Sequence, residues 1–256
     1  MTRRSAFAAS LGLAVFTLGA AQAPSPIRVL ASNGIRAVLQ DLIPECERAV
    51  GRPLAVEFGT SASIKRKIEA NEPLDFTILA SDVIDDLIRE GKLARTNRAE
   101  IARSGVGVGI RRGASKPDIR TLEGMKQTLL NATNITYAEE GASRPAIDKM
   151  IRDLDIADAV KTKTSLTKST DQSMDLLRRG ASDIVITLIS EIVPVKDAEL
   201  AGPLPPSFQG YVTFSTGISV VSKDTNAAQA LVRFVTGPLA ATAFKSKGFE
   251  GFEPHK

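Results

Sequence analysis

Along the first third of the chain, short apolar stretches typical of strands alternate with stretches in which hydrophobic residues have helical spacing. Apolar stretches at residues 27–31, 54–58 and 75–80 have the length of strands. Each is followed by a stretch in which apolar residues recur every three or four positions, as they do on one face of a helix. The residues expected to open or cap these helices are Ser32, Asn33, Ser61 and Asp82. This alternation predicts an α/β protein with a mostly parallel sheet covered by helices.

A second set of strands and helices begins at residue 105. Further strands are predicted at residues 105–110, 135–138 and 184–189, with helices between them. A proline-rich passage at residues 202–206 precedes a long predicted strand at 211–222. Two helices are predicted near the end of the chain, at residues 227–235 and 239–247. The chain therefore consists of two successive α/β sets.

Three glycines alternate along the strand that opens the second set: Gly105, Gly107 and Gly109. A dinucleotide site needs a strand, a turn and a helix N-terminus in that order. Here Arg111 and Arg112 end the strand without opening a helix. We therefore interpret the glycines as part of a flexible strand or hinge.

The first residues read as an export signal. Arg3 and Arg4 precede an apolar run at residues 6–18, and small residues follow it. The run is shorter than the roughly 20 residues that span a bilayer, which disfavours a membrane anchor. We predict a signal peptide at residues 1–21, cleaved after Ala21, and a periplasmic mature protein without a membrane span.

Composition and charge exclude several classes of protein. The chain has 256 residues, of which 43% are hydrophobic and 24% charged, as in ordinary globular proteins. Its formal net charge of +4 falls by two when the signal peptide, with Arg3 and Arg4, is removed. The densest basic cluster, at residues 65–67, has no interleaved aromatic residues and reads as a solvated helix face. Nucleic acid is therefore not an expected partner.

Cysteine and histidine are too scarce for several kinds of site. Cys46 is the one cysteine and His255 the one histidine, so a disulfide framework, a cysteine-based zinc site and a multi-histidine metal centre are excluded. A Ser-His-Asp triad would depend on His255, next to the end of the sequence. Cys46 lies at a helical core position and reads as a small buried hydrophobe. No metal and no other cofactor is predicted.

Short polar residues follow several of the predicted strands. They are Ser32 and Asn33 after the first strand, Thr60 and Ser61 after the second, and Ala142, Ser143 and Arg144 after the strand at 135–138. In open α/β sheets, ligands bind beyond the carboxyl ends of the strands, where helix N-termini present free N–H donors. These turns therefore favour a small anion as ligand. Helix capping explains any single one of the hydroxyl and amide side chains equally well.

Several segments together carry a family resemblance. They are IRVLASNG at 27–34, FGTSAS at 58–63, DFTILA at 75–80, GVGVGIRRG at 105–113 and GASDIVI at 180–186. In this order they resemble the molybdate-binding family of periplasmic solute-binding proteins. The resemblance extends through FVTGPLAA at 234–241. No single segment is specific, but the set indicates the fold.

The resemblance implies a type II periplasmic binding protein, an α/β fold of two lobes with mixed sheets and a ligand cleft between them. It places the first lobe at residues 24–104 plus 213–256 and the second at 105–212. The family's anion contacts match Ser32, Asn33, Thr60, Ser61, Ala142, Ser143 and Thr187, with Arg144 beside them. The implied function is capture of a small anion for a membrane ABC permease, by a protein expected to be a monomer.

One departure from the family opens an alternative. Molybdate binders commonly carry a tyrosine where this chain has Thr187 and Leu188, and residues 189–195 and 201–205 are more similar to a branch that includes aconitate isomerase. That branch implies an isomerase of a small tricarboxylate acting by allylic proton transfer. Candidate carboxylate clamps are Arg36, Lys65 and Arg144, and candidate proton carriers are Tyr137, Glu139, Glu140 and Glu191. The sequence does not rank them, so no catalytic residue is assigned.

Overall fold

The computed structural model describes residues 25–251, so the predicted signal peptide and His255 lie outside the described residues. Its strands are β1 (Ile27–Ser32), β2 (Leu54–Gly59), β3 (Phe76–Ala80), β4 (Glu100–Arg111), β5 (Ile135–Ala138), β6 (Thr164–Thr167), β7 (Ile184–Leu188), β8 (Ala198–Pro203) and β9 (Tyr211–Ile218). Its helices are α1 (Arg36–Val50), α2 (Ser61–Glu69), α3 (Ser81–Arg89), α4 (Leu122–Asn131), α5 (Arg144–Asp153), α6 (Ala157–Lys161), α7 (Thr170–Arg178), α8 (Ile189–Ile192), α9 (Thr225–Val235) and α10 (Pro238–Ser246). Short 3-10 turns lie at Asn33–Ile35 and Arg95–Asn97.

The strands form a mixed sheet in the order β2, β1, β3, β9, β4, β7, β5, β6, and β8 pairs with β4 beside this path. β1 is parallel to both β2 and β3, and its apolar side chains are buried on both faces, as expected of a central parallel strand. The carboxyl ends of these three strands therefore lie at one edge, where the 3-10 turn before α1, α2 and α3 begin.

β4 connects the two parts of the sheet. Residues 100–105 pair with the antiparallel β9, whereas residues 106–111 pair with β7 and β8. A Cβ on Gly107 would lie 2.8 Å from Ile189 Cγ1 and 2.9 Å from Leu200 Cδ1. The glycine strand predicted at 105–110 is confirmed, and glycine at 107 lets α8 and β8 approach β4 closely.

Three hydrophobic clusters hold the helix starts at the sheet edge. The largest contains the fully buried rings of Phe76 and Phe214. A second packs α2 and α3 on β1 and β3 through residues such as Ile64 and Leu87. The third packs α7 and α8 on β7 and includes Leu177. Burial of this apolar surface gives the turns at the strand ends a rigid base.

Most predicted elements are confirmed, and the differences have local causes. The prediction that Asp82 caps α3 is wrong, because the helix begins at Ser81 directly after β3 and Asp82 lies inside its first turn. There its charge favours the positive end of the helix dipole. The strand predicted at 211–222 ends at Ile218, where β9 passes the end of its partner β3. β6 and β8 were not predicted, because neither shows the alternation of a half-buried strand.

Cys46 is buried in α1, as predicted. Burial raises the pKa of its thiol to about 12, with Glu45 and Glu47 adding to the effect. The thiolate, the reactive form of cysteine, is therefore scarce at neutral pH.

Candidate functional site

The predicted polar turns of the first two strands lie side by side. Ser32 is in register with Gly59, so Thr60 follows at the neighbouring strand end. Ser32 Oγ accepts a hydrogen bond from the N–H of Gly34 at 3.3 Å, and Thr60 Oγ1 accepts one from the N–H of Ser63 at 3.0 Å. Both hydroxyl oxygens therefore cap helical turns, which was the alternative interpretation of these residues. Each hydroxyl hydrogen remains available to a ligand.

Ser61 has a different local role. Its Oγ accepts a hydrogen bond from the N–H of Ala80 at 3.1 Å, which ties the first residue of α2 to the end of β3. Ser61 is buried, as are Ser32 and Thr60. The three side chains thus lie at the buried edge formed by the ends of β1, β2 and β3.

A cavity of about 560 Å³ opens between the starts of α2, α3 and α5, and we call it the α2/α5 cavity. Its lining includes Ser61, Ala62, Gly141 and Ala142, so the structure brings the second and third predicted turns together. Within residues 25–251, no acceptor pairs with the backbone N–H of Ser61, Ala62 or Ala142. Free N–H groups at converging helix starts are the donors that a small anion requires.

Charged residues at this cavity are acidic. Asp82 and Glu140 contribute to the lining, and no lysine or arginine does so among the described residues. Glu140 is neutralised by Arg66 of α2, whose Nη2 lies 2.6 Å from Glu140 Oε2. An anion in this cavity would therefore be held by N–H and O–H donors, without a full opposing charge.

A second cavity of about 520 Å³, which we call the α1/α7 cavity, contains Asn33, Arg36, Thr170, Asp171, Ser190 and Glu191. Arg36 donates from Nη2 to Asn33 Oδ1 at 2.7 Å, lies 3.3 Å from Asp171 and stacks on the Phe58 ring at 4.7 Å. Its Nε is buried and has no acceptor within residues 25–251. Asn33 thus lines a different cavity from Ser61 and Ala142.

The Glu191 carboxyl is perturbed by its surroundings. Burial raises the pKa of its carboxyl above the ordinary value, and this outweighs hydrogen bonds from the Thr187 hydroxyl, the Thr170 hydroxyl and the Leu188 N–H. The nearby charge of Asp171 adds to the increase. Thr187 Oγ1 donates to Glu191 Oε2. This links the predicted ligand Thr187 to a carboxyl group at the wall of the α1/α7 cavity.

Arg144 contacts residues that are close to it in the sequence. Its Nε donates to Asp148 Oδ1 at 2.6 Å, its Nη1 donates to the Glu139 carbonyl at 3.3 Å, and it lies 5.3 Å from the Tyr137 ring centroid. Tyr137 is buried, and burial raises the pKa of its hydroxyl. Ser143 is buried at the start of α5 and forms no capping hydrogen bond through its side chain. None of these three side chains lines either cavity.

The other candidate clamp, Lys65, is held by acidic partners, and the other candidate proton carriers are exposed. Lys65 pairs with Glu69 and, at 2.6 Å, with Glu90. Glu139 and Glu140 are exposed. The basic cluster at 65–67 is thus covered by acidic partners, as expected of a solvated helix face. Thr170 and Asp171 were not predicted at the site, because the strand β6 that precedes them lacks an apolar alternation.

Two ion pairs connect the early strand-end turns with the later ones: Arg36 with Asp171, and Arg66 with Glu140. We expect Glu140→Arg to lower the urea midpoint of unfolding slightly, because an attraction between exposed charges becomes a repulsion. Adding Arg66→Glu should restore it. Urea unfolding midpoints of the two single variants and the double variant measure this. Glu139→Arg is the matched control, and an equal loss there would show that the pair has no specific role.

Residues 27–250 match the model of a family described as bacterial extracellular solute-binding protein. The chain belongs to this family. An aconitate isomerase from Pseudomonas sp. is 25% identical over 246 residues, covering 94% of each chain. Molybdate-binding protein ModA from Azotobacter vinelandii is 23% identical over 252 residues, covering 94% of this chain and 98% of ModA.

A solved structure shows the same fold for this solute-binding protein. The periplasmic molybdate-binding protein of Azotobacter vinelandii superposes with a TM-score of 0.75 at 16% identity, covering 89% of this chain and 100% of that one. The predicted type II periplasmic binding-protein fold is confirmed. Within residues 25–251, no helix combines the length and apolar character needed to cross a membrane. In the same part of the chain, no group of three or more His, Cys, Asp or Glu side chains could hold a metal ion.

Proposed function

We propose that the protein is exported to the periplasm, captures a small anion between two lobes and delivers it to a membrane ABC permease. The observation that carries this proposal is that Ser61, Ala62 and Ala142 line one cavity and that their backbone N–H groups have no acceptor in the described part of the chain. Family membership, with relatives that include a molybdate-binding protein, supports an anionic ligand. The description of the family as extracellular supports export and a signal peptide at 1–21.

The proposed lobes are residues 24–104 plus 213–256, and residues 105–212. The change of pairing partners along β4, from β9 to β7 and β8 after Gly105, supports this boundary. The proposed ligand-binding residues are Ser32, Asn33, Thr60, Ser61, Ala142, Ser143, Arg144 and Thr187. Contacts of Arg144 with Asp148 and Glu139 would have to rearrange for it to reach a ligand.

A thermal-shift screen of the mature protein tests anion capture. The compounds are molybdate, tungstate, sulfate, phosphate, citrate and the two aconitate isomers, with choline and a neutral sugar as controls. A ligand at 100 times its Kd stabilises the folded protein by about 2.7 kcal/mol, which should raise the Tm by roughly 5–10 °C. A response to none of the anions would contradict the proposal.

A second function, isomerisation of a small tricarboxylate, is favoured by the α1/α7 cavity. It places a cation, Arg36, in one cavity with a carboxyl of raised pKa, Glu191. Moving a double bond along an allyl system removes a proton from one carbon and returns one to another, which such a carboxyl can mediate. The relative named aconitate isomerase supports this candidate.

Ultraviolet absorbance of cis-aconitate followed over time separates carrier from enzyme. A carrier binds the compound and leaves it unchanged, whereas an isomerase converts it at a rate that Glu191→Gln should abolish. Conversion that persists unchanged in this variant would assign the proton transfer to another residue.

A further inference from the structure

Tyr211, the first residue of β9, lines the α2/α5 cavity and is not among the proposed ligand-binding residues. It shares the lining with Ser61, Ala62 and Ala142, whose N–H groups have no acceptor within residues 25–251. Tyr211 is 49% exposed although it belongs to a strand of the sheet. A large part of this tyrosine is therefore accessible at the cavity in which the anion is proposed to bind.

The packing around the start of β9 holds Tyr211 near the helix starts. Ser81, the first residue of α3, donates from Oγ to the Thr213 carbonyl at 3.1 Å. A Cβ on Gly210 would lie 2.7 Å from Cβ of Ala146, in the first turn of α5. The residues on either side of Tyr211 thus contact the helices that follow β3 and the turn at Ala142.

The ring of Tyr211 is positioned by β4. Gly105 is its register partner, and a Cβ there would lie 3.3 Å from Tyr211 Cε1, so glycine lets the ring lie against the strand. The guanidinium of Arg103 lies 4.6 Å from the ring centroid, and Arg103 is itself paired with Glu250 at 2.7 Å. A side chain held in this way has little conformational freedom to lose when a ligand binds.

The hydroxyl of Tyr211 is available as a donor. Within residues 25–251 the ring stacks on Arg103, and the hydroxyl forms no hydrogen bond. A phenol has one hydrogen to donate. No lysine or arginine lines this cavity among the described residues, so an anion there depends on neutral donors. Each additional N–H or O–H donor then adds a charge-assisted hydrogen bond.

We propose that Tyr211 is a ligand-binding residue, whose hydroxyl donates a hydrogen bond to the anion held in the α2/α5 cavity. The proposal rests on the proposed anion-binding function. N–H groups at the start of α2 and before α5, together with the phenol from β9, then contact the anion from three elements of the fold.

The substitution Tyr211→Phe tests the hydroxyl alone, because it keeps the ring and its contact with Arg103. The probe is molybdate, or the compound of the thermal-shift screen that raises the Tm most, and calorimetric titration of the mature protein measures Kd. We expect Kd to rise at least about tenfold, because hydrogen bonds to charged groups are the stronger ones. The Tm without ligand should stay unchanged, because the hydroxyl has no partner within the described residues.

Tyr137→Phe is the matched control, because it removes the hydroxyl of the other of the two tyrosines in the chain. Tyr137 is buried and lines neither cavity, so this variant should bind the anion with the Kd of the wild type.

The two tyrosines also allow a direct readout. In protein labelled with 13C at tyrosine Cζ, the carbon that carries the hydroxyl, NMR should show two signals, which the two phenylalanine variants assign. Saturating anion should shift the Tyr211 signal and leave the Tyr137 signal nearly unchanged.

The outcomes separate the two proposals. An unchanged Kd in Tyr211→Phe, or a Tyr211 signal that the bound anion does not shift, would overturn the role of Tyr211 and leave anion capture intact. A clear fall in the ligand-free Tm of Tyr211→Phe would show that the hydroxyl has a structural partner, and this would overturn the role as well. Absence of binding by the wild type to every anion of the screen would overturn both.

Discussion

Replacing Ala142 by aspartate should lower the affinity for anions by at least about 100-fold and leave the protein folded. Ala142 lines the α2/α5 cavity, and its N–H is one of the free donors there. A carboxylate on its side chain would place a negative charge at the site proposed for the ligand. Two like charges 4 Å apart repel by about 4 kcal/mol at an effective dielectric constant of 20, whereas a 100-fold loss needs only about 2.7 kcal/mol.

The fold should tolerate this substitution. Ala142 is half-buried, and it lies two residues before α5, where a negative charge favours the helix dipole. The loss of affinity can therefore be separated from a loss of stability. Calorimetric titration with the anion found in the thermal-shift screen measures the first, and thermal unfolding without ligand measures the second.

A matched variant makes the charge effect specific. Ala157→Asp introduces the same side chain at the exposed first residue of α6, which lines neither cavity. It should bind the anion as the wild type does. If Ala142→Asp also bound with unchanged affinity, the α2/α5 cavity would not be the anion site.

The sequence predicted the elements that build the site better than it predicted the contacts within it. Apolar periodicity located β1, β2, β3 and the helices after them, because each buries a face against the sheet. Parallel pairing then placed the turns at Thr60 and at Ser32 next to each other, as the strand-end argument predicted. These are consequences of local patterns and of one general property of parallel sheets.

Contacts between side chains within the site depend on long-range packing, which local sequence patterns do not reveal. Asn33 lines the α1/α7 cavity because Arg36 reaches Asp171, which is more than 130 residues away along the chain. The hydrogen bond from Thr187 to Glu191 depends on the short helix α8 following β7 without a loop. Neither arrangement leaves a periodic signal in the sequence, so the sequence could name Glu191 as a candidate but not assign its neighbours.

Replacing Phe214 by alanine should lower the free energy of unfolding by about 3–5 kcal/mol, as expected when a buried aromatic ring is removed from a core. Phe214 is fully buried in β9, and its ring meets the Phe249 ring edge to face at 6.0 Å. It also lies directly under the first polar turn. A Cβ added to Gly34 would lie 2.5 Å from Phe214 Cζ, closer than side chains approach.

The contact between Gly34 and Phe214 makes the two positions interdependent. In the wild type, Gly34→Ala should cost about 1–3 kcal/mol because the added methyl group overpacks the ring. In the Phe214→Ala background the ring is gone, so the same change should cost clearly less. Gly109→Ala is the control, because it is equally crowded but lies away from the Phe214 ring. Its Cβ would meet Val185 at 2.7 Å. Gly109 lies on β4 seven residues from Ala102, the register partner of Phe214. Urea unfolding of the single and double variants measures both couplings. If the costs of Gly34→Ala and Phe214→Ala simply added in the double variant, as those of Gly109→Ala and Phe214→Ala should, the ring would not set the position of the Ser32–Asn33 turn.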